Sequence, residues 1–366
     1  MGALVGDLLS WYAKHARALP WRIDPRPYHV LLSELMLQQT RVDTVIPYYE
    51  RFLARWPTLW DLAEADEADV LTEWAGLGYY SRARNLHRTA QAARDGLPAN
   101  VDALRALPGI GPYTAGAIAS IAFGRREPLV DGNVERVLAR VYRIEADPAS
   151  KEGKAALWAR ARELVDALPP GEGAGDLNQA LMELGAMICA PRTPACGICP
   201  LSGICLGHLT SDPTRYPRKT PKAPPVAVRA AAVILRDGGC LLLARRAPGG
   251  LLGGMWEPPR IELAPGEDAR EALERRIPAI AGVTPMEMVD RGELTHVFTH
   301  RRMACAVFTG RMEGSPVAGG PYDAIAMLGP EARGLSTLAR KILALEGADA
   351  TLPLPLAAAP AVRYTP

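Results

Sequence analysis

The chain has 366 residues, 48% hydrophobic and 22% charged, with a net charge of +2. That length suits two domains better than one core, the composition is ordinary for a soluble globular protein, and the bulk charge does not point to nucleic acid. No apolar run is long enough for a bilayer, and the opening "MGALVGDLLSWYAKHARALPW" lacks a signal-peptide layout, so a cytoplasmic protein with no membrane partner is expected.

Residues 1–210 read as helices. Asn100 is placed as an N-cap, with Val101, Leu104 and Leu107 at helical spacing behind it. Asn133 precedes "VERVLARVYRI", in which Val134, Val137, Leu138 and Val141 form one apolar stripe. Residues 211–228 are rich in proline, lysine and arginine and read as a linker. A change of pattern follows. "AAAVILRDGGCLLLARR" is two strand-like runs around Asp237-Gly238-Gly239, a hairpin signal. "GEDAREALERRI" reads as a helix and "LTHVFTHRRMACAVFTG" as strands again, giving a smaller α+β domain over 229–346. Residues 347–366 are expected to be a disordered tail.

Local charge is more suggestive than the total. Arg82, Arg84, Arg88 and Arg94 lie in a stretch without an acid, and Arg215, Arg218, Lys219 and Lys222 fall near the linker. Either run fits a DNA-facing surface or a solvated face.

Four of the six cysteines, Cys189, Cys196, Cys199 and Cys205, are separated by six, two and five residues. A cytosolic chain seldom holds disulfides, so the cluster suggests metal. Four thiolates suit tetrahedral zinc or a 4Fe–4S cluster, and the uneven outer intervals favour the cluster. Arg192, in the longest of these loops, either offers a cation to a phosphate or belongs to a solvated surface.

In "LPGIGPYTAGAIASIAF" Gly109 and Gly111 flank one isoleucine, and Pro112 fits a first helical turn. Such a helix begins with unpaired N–H groups that can meet an anion such as a DNA phosphate; a tight turn between packed helices is the other reading. Glu34, in "VLLSELML", has Val30, Leu31, Leu37 and Gln38 as helical neighbours. A carboxyl against that mostly apolar wall should have a raised pKa and suits a general acid, unless it reaches water. Asp131, just ahead of a helix, should stay ionised there, as a catalytic anion or as a structural cap.

The hairpin, "VDGNVERVLARV" and the cysteine spacing, in this order, resemble the endonuclease III superfamily of helix-hairpin-helix DNA glycosylases. "LPWR", "SELMLQQTRVDTVIPYYERF", "GLGYYSRARNLH" and "NQALMELGAMIC" narrow the likeness to MutY-type adenine DNA glycosylases, and "GGLLGGMWEPPR" with "HVFTH" resembles that family's Nudix-like domain. The fold class implied is a mainly α helix-hairpin-helix glycosylase core with an iron–sulfur loop, plus a C-terminal α+β Nudix-like domain.

By this resemblance the partner is double-stranded DNA carrying adenine opposite 8-oxoguanine, the cofactor is a 4Fe–4S cluster, and the protein is a monomer on the bacterial nucleoid. Glu34 protonates adenine at N7 and later activates water. Asp131 stabilises the oxocarbenium-like sugar or attaches to it transiently, and Asn133 holds Asp131 or the substrate. Tyr113 stands where relatives with lyase activity carry a lysine, so a monofunctional enzyme is expected. Because the base must leave the stack, Gln39 enters near the vacated space and Tyr79, after Gly76 and Gly78, wedges beside the 8-oxoguanine. Arg22 lines the adenine pocket. Phe298, Thr299 and His300 form the 8-oxoguanine reading loop, with Thr299 where the family often has serine. Arg275 replaces the second of paired glutamates in the Nudix-like helix, so Glu271 and Glu274 alone make a poor magnesium site and this domain should bind rather than hydrolyse. An endonuclease III-type glycosylase/lyase, a non-catalytic iron–sulfur DNA sensor and a nucleotide pyrophosphatase are the competing readings.

Overall fold

The computed structural model describes residues 1–210, 212–221, 223–237, 239–328 and 334–346. The expected tail, 347–366, and Gly238 of the hairpin turn lie outside the described residues. Among the described residues two compact units emerge: 1–64 with 85–221, and 65–84 with 223–346.

The first unit is helical. The stripe Val134, Val137, Leu138 and Val141 is buried as its spacing predicts, on the helix Gly132–Val141. It packs with Leu4 and Leu8 of the helix Gly2–His15, with Leu157 and Leu164 of Lys151–Asp166, and with Leu177, Leu181 and Leu184 of Gly175–Met187. The helix Pro27–Leu37 differs: from Tyr28 to Met36 every residue is buried. A helix with no solvated face runs through the interior, and any polar side chain on it is desolvated. Asn100 does cap Val101–Arg105, accepting from the amides of Asp102 and Ala103. The hairpin follows, and Pro112–Ala117 continues as a wider π turn over Ile118–Ala122.

Residues 65–84, read with the helical domain, fall in the second unit, and both ends of the linker also move from their sequence assignment. The stretch read as a linker is docked on the first unit over much of its length. Tyr216 is buried and its hydroxyl donates to Glu145, Thr220 bonds Asp147, and Arg218 and Lys219 pair with Glu145 and Glu135. The last three linker residues already belong to the first strand of the second unit. That strand, β1 (Val226–Asp237), turns back into β2 (Cys240–Arg246) as the Asp-Gly-Gly signal predicts, Asp237 facing Cys240.

The rest of the second unit is β3 (Trp256–Glu257), β4 (Arg260–Leu263), a helix Ala269–Ala281, β5 (Val283–Val297), β6 (Arg301–Gly314), β7 (Tyr322–Leu328) and a helix Thr337–Ala344. β1 runs parallel to β6 and antiparallel to β2 and β4; β5 is antiparallel to β6, and β2 is antiparallel to β3 and β7. "AAAVIL" reads as a continuous apolar run because both faces of β1 are covered. Ala230, Ala232 and Ile234 meet Leu338 and Ile342, whereas Ala231, Val233 and Leu235 meet Ala272, Leu273 and Ile277. Phe298, Thr299 and His300 form the turn from β5 to β6, closed by the Phe298 amide on the Arg301 carbonyl at 2.8 Å.

Among the described residues no helix is long and apolar enough to cross a membrane.

Candidate active site

Glu34 lies on the buried helix Pro27–Leu37 and is 3% exposed. Burial lifts its carboxyl from the ordinary carboxylate range to about 7; the charge of Asp131 adds to the rise, and the Tyr113 hydrogen bond and Arg22 oppose it. The Tyr113 hydroxyl donates to Glu34 Oε2. Tyr113 is the second residue of the helix that leaves the hairpin, so the hairpin fixes the group that holds the acid. Its own phenol is driven well above the ordinary value, first by burial and then by the Glu34 charge.

Asp131, not Asn133, is the N-cap of Gly132–Val141. Its Oδ1 accepts from the amides of Asn133 at 2.9 Å and Val134 at 2.7 Å, and its Oδ2 accepts from Asn133 Nδ2 at 3.0 Å. Burial raises the Asp131 pKa, while these three N–H donors favour the ionised form. The cap and the anion are thus one group in two roles. Gly185 makes room for Asn133: a Cβ there would stand 2.6 Å from the Asn133 Cβ.

One cavity of about 500 Å³ is lined by Glu34, Asp131, Asn133 and Tyr113 together with Arg22 and Gln39. The two carboxyl groups therefore share a space able to admit a nucleobase. Gln39 is exposed and holds φ 58°, a left-handed backbone uncommon for a residue with a Cβ.

Arg22 lines this cavity, but its guanidinium is already engaged. It donates to Glu183 Oε2 at 2.9 Å and to the Arg17 carbonyl at 3.1 Å, while Arg17 forks onto Glu183 at 2.7 and 2.8 Å. Glu183 is 1% exposed, and burial alone would raise its pKa; the hydrogen bonds and charges of the two arginines outweigh this and hold it at about 2. The cavity thus contains two buried glutamates shifted in opposite directions, one toward proton donor and one toward fixed charge. Sequence reasoning missed Glu183, although an acid inside the apolar run "LMELGAM" is the same signal that marked Glu34.

The hairpin glycines differ in their constraint. Gly109 has φ 72°, and a Cβ there would fall 2.4 Å from the Asn85 Cβ, so only glycine fits. Gly111 is exposed with nothing within 4 Å of a Cβ, leaving its approach open.

Cys189, Cys196, Cys199 and Cys205 line one narrow pocket of about 20 Å³, beside the buried Arg140. Arg140 donates to Cys189 Sγ at 3.2 Å and to the carbonyls of Ala190 and Pro191 at 2.8 Å each. Burial raises three of the four thiols, Cys199 to about 11. Among the described residues no three His, Cys, Asp or Glu side chains are gathered to hold a single ion. Four thiols facing one space, with a buried cation against one of them, fit a polynuclear thiolate-bound group. Arg192 is exposed on the loop between the first two cysteines.

Two of the four arginines in the acid-free run turn inward, whereas Arg88 and Arg94 are exposed. Arg82 is 6% exposed, donates to the carbonyls of Leu77 and Gly78, and lies over the Trp74 and Tyr79 rings. Burial lowers its pKa to about 10. Arg84 is likewise engaged, with Glu67 and the Gly253 carbonyl. Both brace the second unit.

Within that unit Tyr79, Phe298, Thr299 and His300 line a single cavity of about 710 Å³. The Thr299 hydroxyl donates to the Tyr79 hydroxyl at 3.4 Å. Tyr79 is 44% exposed and, like Gln39, has a left-handed backbone, φ 49°. In the Nudix-like helix Arg275 and Arg276 both pair with Glu267.

Residues 32–163 match the HhH-GPD superfamily base excision DNA repair protein model, and residues 230–345 match a NUDIX domain. The chain is 39% identical to adenine DNA glycosylase of Homo sapiens, over 88% of this chain and 69% of the human one. It is 38% identical to that of Rattus norvegicus, over 85% and 71%. Among solved structures, a thermostable thymine-DNA glycosylase is similar at 29% identity and TM-score 0.50, covering 56% of this chain and 95% of that one.

Proposed function

We propose that this chain, which belongs to the adenine DNA glycosylase family, hydrolyses the N-glycosidic bond of adenine mispaired with 8-oxoguanine or guanine in double-stranded DNA. It is a DNA glycosylase of base excision repair with a Nudix-like C-terminal unit. One observation carries the reading of its chemistry: Glu34, poised near pKa 7, and Asp131, held by three N–H donors, line the same cavity.

Glycosidic cleavage asks for a proton on the leaving base and a negative charge beside the developing oxocarbenium ion. Glu34 is the donor, because only a carboxyl kept in part protonated near neutrality can supply a proton there. Tyr113 holds Glu34 through its hydroxyl and has no amine to form a Schiff base, so the product is an intact abasic site. Asp131 answers the sugar's charge, and Asn133 fixes its carboxylate. A retaining double displacement is favoured, which would set the two carboxyl groups about 5 Å apart. Arg22 borders the adenine space while anchored by Glu183.

Gln39 occupies the gap left by the flipped nucleotide, and Tyr79 with Phe298, Thr299 and His300 reads the 8-oxoguanine. The amides around Gly109 and Gly111, and Arg192, meet phosphates. Cys189, Cys196, Cys199 and Cys205 hold a 4Fe–4S cluster, which when bound orders the loop 189–205 and takes no part in bond cleavage. The enzyme acts as a monomer on bacterial nucleoid DNA.

Single-turnover assays on duplexes with adenine opposite 8-oxoguanine, guanine or thymine test this. Strand cleavage is expected only after alkali, and fast only for the first two. Release from adenine opposite thymine at the same rate would contradict the assignment.

A further inference from the structure

The cavity bearing Tyr79 and Thr299 has a buried end that the reading above leaves unused. Arg260 lies there at 2% exposure. Among the described residues its Nε has no hydrogen-bond partner, its Nη1 meets the Met303 sulfur at 3.5 Å, and its Nη2 reaches both Glu257 oxygens at a long 3.4 Å. Glu257 is already taken, by Arg246 Nε at 2.7 Å and the Tyr322 hydroxyl at 3.2 Å. His296 lines the same cavity, and its buried Nδ1 also lacks a partner among the described residues.

Charge follows the same pattern. Of the four arginines on the cavity wall, Arg84 is matched by Glu67 and Arg301 by Glu262. Arg246 and Arg260 share the carboxylate of Glu257, so among the described residues the buried Arg260 has no carboxylate of its own. Buried charges are normally paired and hydrogen-bonded, and an exception needs a reason. Burial and the cations Lys341 and Arg260 lower the His296 pKa, so the imidazole adds hydrogen-bonding capacity rather than charge.

We propose that this buried end is a phosphate site, built by Arg260 with Arg246 and His296, for a nucleotide whose base lies against Tyr79 and Phe298 at the open end. The planar fork of an arginine suits a phosphate, and the site does not require that the base be 8-oxoguanine. The phosphate comes either from bound DNA or from a free nucleoside monophosphate.

Calorimetric titration of the full-length protein separates these sources. With free nucleotide as the source, deoxyguanosine monophosphate binds at least tenfold more tightly than deoxyguanosine, and Arg260→Met removes that advantage. With DNA as the source, Arg260→Met lowers the slope of log Kd against log salt by about one for an 8-oxoguanine duplex opposite an abasic analogue. Either loss supports the site and names its source. Without ligand, Arg260→Met should melt no lower than the parent, because Glu257 keeps Arg246 and Tyr322. Arg260→Lys keeps the charge beside Glu257 but lacks Nε and the fork, and should show at least a threefold loss in the same arm. Parental behaviour of both variants toward nucleotide and duplex would overturn the proposal.

Discussion

Arg136 joins Asn133 to the cysteine loop: its Nη2 donates to Asn133 Oδ1 at 2.9 Å, and its Nε donates to the Cys189 carbonyl at 2.7 Å. The same Nη2 reaches the Gly185 carbonyl at 2.6 Å. Since Asn133 holds Asp131, one side chain connects a cysteine backbone to the anion of the candidate active site. Arg136→Gln should leave these carbonyls poorly paired, at about 1–3 kcal/mol each. We expect a lower melting temperature and single-turnover adenine release slowed about tenfold or more. An unchanged rate would show that Asp131 is held without this link.

Glu34 should make stability fall as pH rises. Its folded pKa, about 7, is raised above the unfolded value, so the folded state binds the extra proton. The penalty is absent below about pH 4.3, grows through the window up to pH 7, and is then complete at about 4 kcal/mol. Glu34→Gln should therefore melt higher than the parent at pH 8 and not at pH 4. A variant destabilised equally at both pH values would rule out a desolvated acid.

Glu183 carries the opposite sign. Its folded pKa, about 2, is depressed by Arg17 and Arg22, so its contribution is present above the unfolded value and is lost as pH falls from about 4.3 toward 2. Arg17 is 38% exposed, and solvent screening trims the effect. Glu183→Gln should destabilise by about 1–3 kcal/mol at pH 7 and by little near pH 2, read from denaturant melts.

Gly109 and Gly111 divide folding from binding. Gly109→Ala places a Cβ against Asn85 on a left-handed backbone, at about 1–2 kcal/mol from the backbone alone. Gly111→Ala meets nothing within 4 Å, so it should melt like the parent yet bind DNA more weakly. Equal DNA affinity in Gly111→Ala would move the phosphate contact elsewhere.

How much was legible depended on whether the cause was local. Glu34 announced itself because an acid among apolar helical neighbours is a local pattern, and the β1–β2 hairpin because its turn residues are adjacent. The cysteines declared a shared pocket by spacing. Glu183 was not linked to Arg17 and Arg22, which lie more than 160 positions away and meet it only in the folded unit. Arg82 misled because an acid-free run looks like a solvated face, while the loop carbonyls and Trp74 that bury it are a matter of packing. The linker was misjudged for a similar reason: its proline content hid Tyr216, whose burial ties that stretch to the first unit.

Proton donation by Glu34 is tested most directly by Glu34→Gln on a duplex with adenine opposite 8-oxoguanine, with single-turnover release and DNA affinity measured together. Affinity within about threefold of the parent and release slowed by at least about 10³-fold are expected if the acid is essential to the transition state. Release near the parental rate, with DNA still bound, would contradict it.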